Sequence, residues 1–517
     1  MLQIAEKDLV LECEKLIRKH QRYMRQLRID DVRRERRVTE PHRAILMSPT
    51  YWDIDAGFNP YVVRSRAAAV SRAVNLALKN NDYAPRPPVG HEIPKSSGGT
   101  RIVSIFQIVD SVVSKVAYRS LLSKNRALIS ARSYAYRDDL STHDAIRYIA
   151  SEFDTVERIF VAEYDFSKYF DSIEHSHILQ SLEGNGFLVT AAERNIIQAF
   201  LSSPLQIEKK YDAKASSKVE RRGIPQGTSI SLFLANVAAW QIDRSLERIG
   251  VGFARYADDT LIWARDYAQI TAAVNVLKTE IEKIGAELNP LKSHGVRLFT
   301  PPREPAEIES TDTVVFVGYR FKRGKIGFND AVISRIHRRI EHLVWANLLQ
   351  ALQEGTFDPA RVAPFIDRDY LVLLLQIRRY LYGNFSEARL RELERGAAKQ
   401  IRFPGLLSYF PLVDDQEQLK QIDGWLASTL FLALNKRARL LRAIGIATLP
   451  QPHGLSKEQL LGAQAKTSSG DDIDLRIPSV ARFMSVLSKA ATAFGANAVS
   501  RGTGAEEYQY QLGAHEL

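Results

Sequence analysis

Two adjacent aspartates, Asp258 and Asp259, interrupt an otherwise apolar stretch, Arg255-Tyr256-Ala257-Asp258-Asp259-Thr260-Leu261-Ile262-Trp263. Like charges side by side in a strand-like run do nothing for stability. On their own they are equally compatible with an acidic hairpin turn, because Asp is a common turn former. A second apolar run, Ile159-Phe160-Val161, leads to another acid in Tyr164-Asp165-Phe166-Ser167-Lys168-Tyr169-Phe170-Asp171. Carboxylates carried on two strands can converge on a pair of hard divalent cations. One cation then activates a hydroxyl and the other holds a triphosphate. In-line displacement of pyrophosphate needs that geometry and little covalent help from protein. Two strand-borne acid sites therefore favour metal-assisted phosphoryl transfer over a pair of unrelated turns.

The elements that must position these acids are legible from periodicity. Arg158 to Phe166 and Val251 to Trp263 read as buried strands. Ser229 to Ile249 reads as one helix between them, from the spacing of Leu232, Val237, Trp240 and Leu246. Pro and Gly crowd residues 84–100, which predicts loop and hairpin, and helical spacing resumes at Ile108, Val112, Val116 and Leu121. Strands interleaved with long helices give an α+β class. Beyond Phe321 the pattern turns helical. Val332, Ile336, Ile340, Leu343 and Leu348 form one stripe, and Leu371–Tyr382, Ser386–Ile401, Gln418–Ala443 and Ser479–Phe494 follow. Gln464 to Asp472 is expected to be a surface loop.

The 517 residues are too many for one core, and 45% hydrophobic with 25% charged content is ordinary for a globular protein. No apolar run is long enough for a bilayer span and the first residues lack a secretory signal, so the expectation is a cytoplasmic protein with no membrane partner. The only cysteine, Cys13, excludes an internal disulfide and a cysteine-based zinc site. A net charge of +11 favours polyanionic partners. Between Lys15 and Arg37 ten Lys/Arg face three acids. Such a segment is either a solvated helix face or a phosphate-tracking surface.

Taken in order, the blocks resemble the reverse transcriptases, especially the bacterial ones, over roughly residues 90–325. Pro94 to Arg101 resembles the fingers element, and Arg132-Ser133-Tyr134-Ala135-Tyr136-Arg137 the block after it. Asp165 to Asp171, Arg222-Gly223-Ile224-Pro225-Gln226-Gly227 and Tyr256-Ala257-Asp258-Asp259 resemble three successive palm motifs. Leu288 to Ser293 and Phe316 to Phe321 resemble the two that close the palm. Any one block is weak; seven in order are specific. The resemblance implies a right-hand polymerase fold with fingers and palm, followed by an all-helical thumb and C-terminal region. The expected division is a basic helical segment over 1–50, fingers over 51–150, palm over 151–328, thumb over 329–400 and an accessory region over 401–517.

It also implies an RNA-directed DNA polymerase, a nucleotidyltransferase working with two Mg²⁺ ions or with Mn²⁺. Asp165, Asp258, Asp259 and the Phe166 carbonyl are the implied metal ligands, and Lys292 the general acid for departing pyrophosphate. Lys95, Arg101, Phe170, Gln226 and Gly227 are the implied nucleotide-binding residues. For Lys95 and Arg101 the alternative is plain surface charge on a loop. Phe170, five residues after Asp165, would crowd the ribose 2′ position and select dNTPs, whereas its alternative role is core packing. RNA template, DNA product and dNTPs are the implied partners, with an associated non-coding RNA and a homo-oligomer as further expectations. The long helical C-terminal region resembles that of bacterial antiphage-defence and abortive-infection reverse transcriptases. The alternative is a group II intron or retron-type enzyme, or an RNA-binding maturase-like factor. The single cysteine speaks against the Cys/His-rich endonuclease segment common in intron proteins.

Overall fold

The computed structural model describes residues 2–36, 38–39, 47–94, 99–154, 158–215, 221–300, 308–363, 366–383, 385–396, 403, 405–466, 470 and 472–496. They divide into two compact units. Residues below 25 and from 47 to 317 form one, and residues 25–39 and 318–496 form the other.

In the first unit, β1 (Val89–Pro94) and β2 (Thr100–Ile105) make the expected antiparallel hairpin. The long helix Ile108–Asn125 follows it. The centre of the unit is a five-stranded sheet in the order β5-β6-β3-β8-β9. Its members are β3 (Ile159–Tyr164), β5 (Gly252–Tyr256), β6 (Asp259–Ala264), β8 (His294–Phe299) and β9 (Ser310–Thr311). Two short strands, β4 (Phe166–Ser167) and β7 (Glu287–Leu288), pair beside it. β3 is paired on both edges, with β6 and β8, and its successive residues Ile159-Phe160-Val161-Ala162 are all buried, so both faces are covered and the run is apolar without alternation. Gly252 faces Trp263 across the β5–β6 ladder. A Cβ at Gly252 would stand 2.1 Å from the indole nitrogen, so the register requires glycine there.

The helix Ser229–Ala238 is buried from Ile230 to Ala238, and each large apolar side chain it buries contributes roughly 1.5–3 kcal/mol. The single helix expected over Ser229–Ile249 is in fact two, Ser229–Ala238 and Trp240–Ile249, broken at Ala239 (φ −89°, ψ 1°). The break lets the Trp240 indole N–H reach the Leu128 carbonyl at 2.8 Å. Apolar spacing alone does not distinguish a bent helix from a straight one.

The second unit opens with a hairpin, Tyr319–Lys322 with Lys325–Phe328, followed by the helices Asp330–Val344, Arg368–Tyr382, Glu387–Glu394, Gln416–Ala443 and Val480–Phe494. The expected stripe Val332, Ile336, Ile340, Leu343 and Leu348 is buried throughout. The unit is helical with two small ladders that the periodicity did not reveal: Val362–Ala363 with Ile366–Asp367, and Gln464–Lys466 with Asp472–Asp474. Gln464–Lys466 and Asp472 are therefore paired strand rather than plain loop. Strands of two or three residues are too short to show alternation. The core of this unit carries a charge cluster. Arg437, 1% exposed, bonds Asp367 through Nε at 2.6 Å and Asp369 through Nη2 at 2.9 Å, and its Nη1 donates to the Leu348 carbonyl at 2.7 Å. The His453 ring joins Asp367 at 2.9 Å. Removing one member of such a cluster costs about 3–5 kcal/mol, because the partner charge stays buried.

Candidate active site

Asp165 stands just past the end of β3 and is held by the turn after β7. The Asn289 side-chain amide donates to Asp165 Oδ2 at 3.1 Å, and the Asn289 backbone N–H donates to the Asp165 carbonyl at 2.8 Å. Lys292 Nζ lies 3.2 Å from the same Oδ2, with its own side chain 59% exposed. Asn289 shapes this turn by accepting the Leu291 N–H at 3.1 Å on its own Oδ1.

Asp258 lies in the two-residue β5–β6 turn, Ala257-Asp258, and Asp259 opens β6, paired with Tyr256. Ala257 is left-handed there (φ 59°). For a residue with a Cβ this costs roughly 1–2 kcal/mol, which the surrounding bonds must offset. Burial and the Asp165 charge raise the proton affinity of Asp258, and the positive charges of Arg101 and Lys292 oppose this. Burial, then the adjacent Asp258, push the Asp259 carboxyl up to about 7. Asp259 Oδ2 accepts the Val317 N–H at 3.4 Å. Behind Asp165 on the same face of β3, Glu163 accepts from Arg297 Nη2 at 2.6 Å and from the Val315 N–H at 2.7 Å.

Asp165 and Asp258 are thus brought within electrostatic reach of each other, with Arg101 and Lys292 as the nearby cations. Among the described residues no three His, Cys, Asp or Glu side chains form a ready-made metal cage. The donor set still suits a hard cation. It is all carboxylate, partly desolvated and mutually repelling, and a two-ion site takes its remaining ligands from substrate phosphates and water.

The other expected residues divide. Lys95 lies outside the described residues. Arg101 is exposed on β2. Phe170 is 8% exposed and packs edge-on against Tyr136, ring centroids 6.2 Å apart. Gln226 is pinned twice. Its side-chain amide donates to Asp171 Oδ1 at 3.0 Å, and its carbonyl accepts the Ser104 N–H of β2 at 2.6 Å. Gly227 has φ 115°, a conformation that glycine adopts freely.

Several supporting residues were given no role from the sequence: Asn289, Tyr136 and Arg255, which lie inside the quoted motifs, and Glu163, Arg297 and Asp243, which do not. A charged residue inside an apolar strand, as Glu163 and Arg255 both are, signals a buried partner. The sequence does not say which partner.

Residues 93–321 match the family model for reverse transcriptase (RNA-dependent DNA polymerase). The chain carries a reverse transcriptase domain. Its sheet and helices are those of a right-hand polymerase fold of mixed α+β class. The bounds of the reverse transcriptase domain enclose every site residue named above. An uncharacterized 91 kDa protein in the cob intron of Schizosaccharomyces pombe is 25% identical over 193 residues, covering 37% of this chain and 23% of that protein. A COX1/OXI3 intron 1 protein of Saccharomyces cerevisiae is 27% identical over 159 residues, covering 30% of this chain and 18% of that one. The chain thus spans about a quarter or less of these relatives. Among solved structures, telomerase from Candida albicans with a fragment of telomeric RNA matches at TM-score 0.37 and 12% identity, covering 72% of this chain and 64% of that one. Apo telomerase from Candida tropicalis matches at TM-score 0.35 and 14% identity, covering 51% and 60%.

Proposed function

We propose that the protein is an RNA-directed DNA polymerase that extends a 3′-hydroxyl with dNTPs, copying an RNA template into DNA. The observation that carries this reading is the approach of Asp165, from the end of β3, to Asp258, from the β5–β6 turn, inside the matched reverse transcriptase domain. Asp165, Asp258 and the Phe166 carbonyl would hold Mg²⁺, with Asp259 beside them. When bound, the ions lower the pKa of the attacking hydroxyl and neutralise charge on the triphosphate. Lys292, exposed beside Asp165, is placed to give a proton to the departing pyrophosphate. Arg101 supplies positive charge from the fingers hairpin. Phe170, backed by Tyr136, closes the space where a ribose 2′-hydroxyl would sit. Gln226 and Gly227 form the floor beneath the incoming nucleotide.

The setting we favour is an intron-encoded protein, the alternative raised by the sequence, because both curated relatives are named for introns. The antiphage-defence setting expected from the helical C-terminal region has no support among those relatives. The test is primer extension on an RNA template with purified protein. Asp258→Asn and Asp165→Asn should each abolish extension while circular dichroism and melting temperature stay near wild type. Full extension by either variant would refute the site.

A further inference from the structure

Arg255 directly precedes the Tyr256–Asp259 motif, and nothing in the proposed chemistry uses it. Yet it is wholly buried, and its guanidinium is bonded on every side. Nε and Nη2 donate to the two oxygens of Asp243 at 2.7 and 2.6 Å. Nη2 also donates to Ser133 Oγ at 2.8 Å, and Nη1 donates to the Ala257 carbonyl at 3.1 Å. Its backbone is captured too: its N–H donates to the Arg132 carbonyl, and its own carbonyl accepts the Tyr134 N–H, each at 2.9 Å. Arg255 therefore ties the helix Trp240–Ile249 and the 132–137 segment to the turn that carries Asp258.

Cohesion alone is a poor reason for such a group, because replacing a buried ion pair by well-packed apolar side chains of similar volume is often neutral or stabilising. An apolar side chain at position 255 would pack against its neighbours, but it would leave the Ala257 carbonyl without its donor. Ala257 is the left-handed residue of the acidic turn (φ 59°), and Asp258 follows it directly.

We propose that Arg255, oriented by Asp243 and Ser133, is a positioning residue that holds the Ala257 carbonyl and so fixes the angle at which the turn presents Asp258 to the metal site. This rests on the polymerase reading above. The guanidinium fork is what the role requires. A single ammonium cannot meet both Asp243 oxygens and also reach a third acceptor in a fixed plane.

The experiment uses the full chain and four variants: Arg255→Lys, Ser133→Ala, Ala257→Gly, and Arg255→Lys with Ala257→Gly. Three quantities are measured below the melting temperature of each. They are Mn²⁺ affinity by electron paramagnetic resonance without nucleotide, kcat and KM for dNTP in primer extension, and Kd for primer–template. Arg255→Lys is expected to weaken Mn²⁺ binding at least fivefold and lower kcat at least tenfold, with KM and Kd within twofold of wild type. Ser133→Ala, which deletes the bond from Arg255 and the longer one that the Ser133 hydroxyl donates to Asn236 at 3.3 Å, with little change in size, should weaken Mn²⁺ binding two- to threefold. Glycine at 257 is left-handed without strain and should restore part of the Mn²⁺ affinity in the lysine background. Unchanged Mn²⁺ affinity in Arg255→Lys, or in Ser133→Ala if the lysine variant does not fold, overturns the proposal. If the wild type extends no primer, the polymerase reading fails and the Mn²⁺ titrations still judge the clamp.

Discussion

The side chain of Asn289 donates to the Asp165 carboxylate at 3.1 Å while its backbone N–H donates to the Asp165 carbonyl at 2.8 Å. One residue thus fixes both the charge and the main chain of a proposed metal ligand. A hydrogen bond to a charged group is worth about 1.5–3 kcal/mol, and every 1.4 kcal/mol is tenfold in rate. Asn289→Ala should therefore lower the single-turnover rate of nucleotide addition roughly tenfold to a hundredfold. Asn289→Asp should do worse, because it sets a like charge against Asp165. A rate within twofold of wild type for Asn289→Ala would make the contact incidental.

Phe170 sits under the edge of Tyr136, itself left-handed (φ 62°) with its carbonyl bonded by the Tyr118 hydroxyl at 2.9 Å. If steric exclusion selects the sugar, Phe170→Ala should raise ribonucleotide incorporation at least tenfold relative to dNTP. Competition between the two nucleotide types on one template measures it. Unchanged selectivity would leave Phe170 a core residue only.

The helix Glu6–Glu35 exposes Arg18, Arg22, Arg25 and Arg28. Arg18 is 3.6 Å from Glu14, an exposed pair worth little. Reversing all four to Glu should weaken RNA binding and flatten the dependence of log Kd on log salt, since fewer counterions are released. Fluorescence anisotropy at four salt concentrations reads both. An unaltered slope would assign the stripe to solvent.

Burial lifts the Asp110 carboxyl to about 7, although it accepts from the Tyr83 hydroxyl at 2.6 Å and the Arg86 N–H at 3.1 Å. Its folded pKa lies above the unfolded value of 3.8. Between these values the folded state keeps a proton that the unfolded chain has lost. Stability from this group is therefore full below about pH 4 and declines as pH rises towards 7, by at most about 1.4 kcal/mol per unit. Asp110→Asn should flatten that limb of the melting temperature against pH. An equally steep decline in the variant would assign it to other groups.

Much of the site was legible because metal chemistry needs particular residue types at particular strand ends. Asp165 and Asp258 announced themselves as acids beside apolar runs, and the strands that carry them lie where the runs end. What escaped notice is what holds them in place. Asn289 looks like any turn residue until the turn is seen to close on Asp165. Asp243 lies 12 residues before Arg255 on a different element, the helix Trp240–Ile249. The short ladders of the second unit were hidden for another reason. They are paired by tertiary position and carry no pattern of their own.

The turn of π-helix at Trp345–Leu349 fits one more residue into its coil than an α-helix would. It also places the Leu348 carbonyl where Arg437 takes it at 2.7 Å. Deleting one residue from this turn would close the wide coil to regular α pitch and remove the local displacement that the extra residue creates. The carbonyl would leave Arg437, and Asn347 would lose its reach to Gln376, at 2.8 Å across the packed helices. At this place the chain can absorb a change of side chain far more readily than a change of length.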